Sequence, residues 1–333
     1  MGNSAISLAS LWAQKYVTNL GAKVEDDGSS QLAEKVRGSL RFASSQAWAK
    51  TEQLLAKELD RNRLDPELLD PWQIAEDSRQ LFKRAAGSLQ AHIPPARFST
   101  EIAAICGHIR RRYTRTDPRV LGFMSMQFHF TGQKLLESLS TYEQSQLFPF
   151  LKVMDDQLYM PLHRTYLAAA QAHEDAPALK AMQELLLVVT PVAEAVCAEA
   201  AHHFPQYRTD SGSLSNVTVR VSSIRDTEMF LIYLGLCTLE GSISAVQEEL
   251  FPLCVMLYPP LRVGWNLVRF LLSSLENLLP TYLSQPNYAT LAPNLKAIQD
   301  MFSLEVFPET DSAWNHHPDV VRWMNAAREL MPT

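Results

Sequence analysis

Glycine is scarce in this sequence, at 12 residues in 333, and no stretch alternates apolar and polar residues for long enough to build a sheet. That excludes a fold of many short strands joined by tight turns and leaves helices, which the long Leu-, Ala- and Met-rich stretches favour. The one β-like run, Val217–Val221, is too short and isolated for a sheet, so an extended stretch or a helix start is expected there. Cysteine is scarce too. Cys106, Cys197, Cys237 and Cys254 are far apart, form no CxxC and sit in apolar helical stretches, which argues against a disulfide framework and predicts reduced, buried thiols.

Catalytic signatures are also missing. There is no GxGxxG, no Walker A loop and no GxSxG elbow, and no Ser or Cys has a base at a spacing that argues for pairing. No catalytic residue or metal ligand is assigned, and no motif requires a cofactor. Asp155-Asp156 resembles the first two acids of the DDxxD motif of helical prenyltransferases, but position 159 is Tyr159 and no second acidic motif follows, so solvated helix-face acids are expected. The opening MGNSAISLASLWAQKY lacks a basic, then continuously apolar, secretory pattern, and Ile6 stands where myristoylation needs Ser or Thr. The apolar runs Met229–Leu239 and Leu250–Leu261 fall short of the roughly 18–20 residues that span a bilayer. A cytoplasmic protein without a transmembrane segment is expected.

What the sequence does hold is enough apolar content, 47%, to fill a sizeable core, and an uneven distribution of its net charge of -6. Residues 1–120 carry 18 Lys/Arg against 14 Asp/Glu, and 121–333 carry 12 against 22. Helix-start signals recur: serine at 29–30, Asp70-Pro71, and the capping box Ser140-Thr141-Tyr142-Glu143. Leu32, Val36, Leu40, Ala43, Ala47 and Leu54 form a narrow apolar stripe. Prolines 149, 161 and 191 fall inside helical patterns and predict kinks or splits. The expected fold is all-α, an irregular bundle of about 10–12 helices, several kinked by proline, with solenoid-like helix pairs as a variant. Its expected divisions are a helical extension over 1–95, a core over 96–310 and a terminal helix over 311–333.

Two constellations stand out for function. Arg110, Arg111, Arg112, Arg115 and Arg119 crowd the end of a helix, where guanidinium groups suit phosphate or carboxylate recognition, although consecutive arginines point around a helix rather than into one pocket. Phe123, Met126, His129 and Phe130, with His163 from the next helix, would line an apolar cavity for a flat ligand or pigment if helices 118–139 and 141–173 enclosed one. The leading expectation is a non-enzymatic interaction or regulatory scaffold that binds another protein. The alternative is an all-α binding protein or enzyme for a small apolar ligand at that cavity. A third is a nucleic-acid binder using the arginine-rich edge, which no recognised motif favours.

Overall fold

The computed structural model describes residues 3–20 and 28–307. The protein is all-α and 81% helical, with twelve α-helices and one two-stranded hairpin among the described residues. The helices are α1 (Asn3–Leu20), α2 (Ser29–Asn62), α3 (Pro71–Gln90), α4 (Pro95–Thr116), α5 (Val120–Glu137), α6 (Thr141–Tyr159), α7 (Leu162–Gln171), α8 (Pro177–His203), α9 (Val217–Glu240), α10 (Phe251–Leu257), α11 (Trp265–Tyr282) and α12 (Gln285–Met301). A 3-10 turn, Pro66–Leu68, precedes α3, and a π turn, Val246–Leu250, leads into α10. The hairpin pairs β1 (Arg208–Thr209) with β2 (Gly212–Ser213), antiparallel, with Arg208 opposite Ser213.

Local chemistry explains most helix boundaries. Asp70 accepts from the Trp72 and Gln73 amides, both at 3.0 Å, to start α3. Ser140 and Glu143 form the reciprocal box that starts α6. Asn216 caps α9 through the Thr218 amide at 2.9 Å, so Val217–Val221 is a helix start. Pro161 splits the chain between α6 and α7, while Pro149, Pro191, Pro280 and Pro293 lie inside helices. One helix is kinked by proline, fewer than the sequence led us to expect. The start of α2 also departs from expectation: Gly28, at φ 97°, takes the cap position and no side chain caps the helix.

The chain divides into two compact units, Met1–Gln171 and Ala172–Thr333, whereas the sequence reading drew its boundaries at 95 and 310. The terminal helix expected over 311–333 lies outside the described residues. In the first unit α2 lies along both α3 and α5. The stripe on α2 drifts with the 3.6-residue period, so buried Thr51 and Leu55 continue it and Leu54 is only half-buried. The Thr51 hydroxyl donates to the Ala47 carbonyl at 2.9 Å. Gln127 of α5 donates to the Ser44 carbonyl of α2 at 2.9 Å, and Phe82 of α3 stacks on Phe128 of α5 at 4.9 Å. Phe98 and Phe150, 5.4 Å apart, join α4 to α6.

In the second unit α8 packs on α9 where Gly235 leaves room for the Met182 thioether, space that a Cβ would fill. Phe230, Phe251, Trp265, Phe302 and Phe307 build an aromatic core, with Trp265 stacked on Phe307 at 3.8 Å. Glu184 of α8 accepts from the Ser284 amide at 3.1 Å and hydroxyl at 2.8 Å, which ties down the start of α12. All four cysteines are free and buried. By length and composition α8 is apolar enough to cross a membrane, and 44% of its apolar window is buried.

Candidate functional site: the arginine edge of α4

The last two turns of α4 carry the arginine run, and neighbouring helices sort its members. Arg110 is only 5% exposed, and its Nη1 donates to the Leu158 and Tyr159 carbonyls at 2.7 and 2.6 Å. Those carbonyls end α6 and lack intrahelical donors, so the guanidinium serves as their cap. Arg112 reaches across to buried Asp77 of α3, with Nη1 2.7 Å from Oδ1. Asp77 also accepts from the Tyr113 hydroxyl at 2.6 Å and from Gln73 at 3.0 Å. Burial, followed by the bond to Asp77, pushes the Tyr113 phenol well above its usual range. Arg119 is held by Asp117 and donates to the Asn62 carbonyl that ends α2. Arg111 and Arg115 face solvent, and neither has an ion-pair partner among the described residues. The five arginines thus do not converge on one pocket.

Behind this edge lies a charge cluster that the sequence reading missed. Asp156, expected to be solvated, is 0% exposed. Its Oδ2 accepts from the Tyr16 hydroxyl at 2.9 Å and lies 3.2 Å from Lys15 Nζ, while Lys152 contacts its Oδ1. Trp12 Nε1 donates to the Tyr16 oxygen at 2.9 Å, and Lys15 Nζ sits 3.8 Å from the Trp12 ring centre. Burial alone would raise the Asp156 carboxyl, but the two lysines and the Tyr16 bond outweigh it and hold the group below the usual range. A signal did exist: Asp156 follows Pro149 and Val153 at the spacing of the buried α6 face, four residues after Lys152. The arrangement anchors α1 to α6. Among the described residues no group of three or more His, Cys, Asp or Glu is placed to hold a metal ion.

The aromatic face of α5 is packed against protein. Phe123 lies 6.4 Å from the Trp48 ring, Met126 is buried, and Phe130 carries Lys50 Nζ 4.1 Å above its ring. His129 bonds Gln133 of its own helix at 2.9 Å and meets Phe130 edge-on. His163 belongs to a different neighbourhood, with its ring centre 5.9 Å from that of His108 on α4. Burial first, then His108 and Arg111, push its imidazolium below the usual range. In the second unit a small cleft lined by Cys197, Ala200, Leu214, Arg220 and Ser223 has room for about one water molecule. Burial pushes the Cys197 thiol there up to about 12, which leaves it protonated and inert as a nucleophile.

The class that the fold defines is an all-α protein of two helical units. No family model matches the chain, and the searches of curated proteins and of solved structures likewise gave no match.

Proposed function

We propose that this chain is a non-enzymatic interaction protein, a helical scaffold that binds another protein through the solvent-facing cations of α4. The observation that carries this reading is the contrast within one arginine run. Arg110, Arg112 and Arg119 are spent on internal carbonyls and carboxylates, whereas Arg111 and Arg115, one turn apart on one face, stand in water without a carboxylate among the described residues. Guanidinium forks suit carboxylates of a partner, and arginine with exposed aromatics is the composition of interface anchors. Trp72, 81% exposed, and Phe42, 69% exposed, supply such aromatics in the same unit.

An apolar ligand between the helices over 118–139 and 141–173 has less to support it, since Phe123, Phe128 and Phe130 already lie against Trp48, Phe82 and Lys50. At this edge a nucleic acid would meet only two arginines without an ion pair among the described residues, on a chain of net charge -6. The test is affinity purification with the tagged wild type and the Arg111→Glu/Arg115→Glu variant. A partner identified by mass spectrometry, reconstituted from purified components and lost with the double variant is the expected result. Failure to reconstitute any partner, together with turnover of a metabolite by the purified chain, would overturn the reading.

A further inference from the structure

His108 precedes Arg111 by one turn and Arg115 follows by another, so three cationic or titratable side chains track along about 10 Å of the α4 axis. A fourth comes from α7. The His163 ring lies 5.9 Å from the His108 ring, inclined at 37°, half-buried. It reaches this position because Gly107 presents bare backbone: a Cβ there would overlap the His163 ring and its Cβ. His108 is fixed as well, since its Nδ1 lies 2.6 Å from the Ala104 carbonyl. A carbonyl only accepts, so Nδ1 carries the proton and Nε2 is left for another partner.

We propose that His108, Arg111, Arg115 and His163 form one docking surface, and that its occupant is an acidic protein segment presenting at least two carboxylates. This rests on the interaction reading above and adds to it the histidine pair, the contribution of α7 and the charge of the partner. Charge complementarity selects the occupant. At neutral pH the surface carries the two arginine charges, and acidification adds a charge at His163, while Glu side chains of the partner, near about 4.3, stay ionised. Burial first, then the neighbouring His108 and Arg111, opposes protonation of His163, and a carboxylate set among these groups offsets that opposition. Binding therefore takes up protons, and affinity rises as pH falls.

Most other charges on the elements packed here are engaged, Arg97 with Glu101 on α4 among them, and Arg84 of α3 adds a cation near Cys106. On α3, Asp77 is bound to Arg112 and Tyr113; on α6, Asp156 is bound to Lys152 and to Lys15 of α1, and Glu143 to Lys35. On α5, Lys134 pairs with Glu137. Asp155 of α6 and Arg164 of α7 also have partners within the protein.

The experiment uses the full chain and a fluorescein-labelled peptide of alternating Glu and Ala, read by anisotropy at about pH 7.5 and about pH 6, in low salt. The expected results are at least roughly threefold tighter binding at the lower pH, loss of binding in Arg111→Glu/Arg115→Glu, and no gain on acidification in His108→Gln/His163→Gln. The exposed single variant His108→Gln, which leaves the packed ring in place, is expected to lose part of the gain. Absence of peptide binding by the wild type at both pH values overturns the proposal. So does a pH gain that survives both histidine substitutions, or tighter binding of a single-stranded oligonucleotide than of the peptide. If a partner is captured through Arg111 and Arg115 while peptide affinity is the same at both pH values, the histidine surface is refuted and the interaction reading stands.

Discussion

From Met1 to Gln171 the chain carries 21 Lys/Arg against 18 Asp/Glu, whereas from Ala172 to Thr333 it carries 9 against 18, and the two units fill their interiors differently. The first buries ionic groups, Asp77, Arg110, Asp117, Arg119 and Asp156 among them, and spends each on a helix end or a helix–helix tie. The second buries fewer, Arg225 and Glu228 among them, sets an interlocked group of rings around Phe302, and secures a helix start through the half-exposed Glu184. A basic unit can afford interior carboxylates because a lysine or arginine is close by to offset their desolvation. An acidic unit has fewer such partners, so its interior leans more on the shape of its rings.

The largest effects should come from a matched pair of substitutions. Asp156→Ala leaves Lys15 and Lys152 without their shared anion and should cost about 3–5 kcal/mol. Phe302→Ala should cost a similar amount, about 3–5 kcal/mol, through a cavity. Hydrogen exchange during denaturant unfolding separates them: the first should deprotect α1 and α6, the second α9 to α12. Deprotection of both units by either substitution would break the comparison.

Acid should come next. Because the Asp156 carboxyl is held below its unfolded value of about 3.9, its contribution is present above that pH and is lost as pH falls through the folded value. Amides of α1 are therefore expected to exchange faster below about pH 4, before those of α9. The reverse order would show that the ionic cluster does not anchor α1. The smallest effect is Glu184→Ala, which removes the acceptor at the start of α12 and should lower stability by about 1 kcal/mol, read as a shift in thermal midpoint.

The arginine run shows how far residues alone carry. That consecutive arginines point around a helix was legible, but which of them turn inward was not. Arg110 is internal because α6 ends beside it, whereas Arg112 stays exposed and is tied down because α3 brings buried Asp77 across. His163 shows the same limit: its partner His108 stands 55 positions earlier, and Gly107, which admits it, carries no local signal. Asp156 was half legible, since the apolar spacing of α6 marks its face, yet the chemistry that makes burial tolerable comes from α1.

By itself the sequence determined the all-α class, the caps at Asp70 and Ser140, a break at one of Pro149 and Pro161, and the four buried thiols. These follow from interactions within a few residues: an amide N–H without an acceptor, a proline without an N–H, an apolar group recurring at helical period. Only the tertiary structure decided where charge lies, inside with Asp156 or outside with Arg111, because the free energy of a charge depends on what distant segment stands next to it.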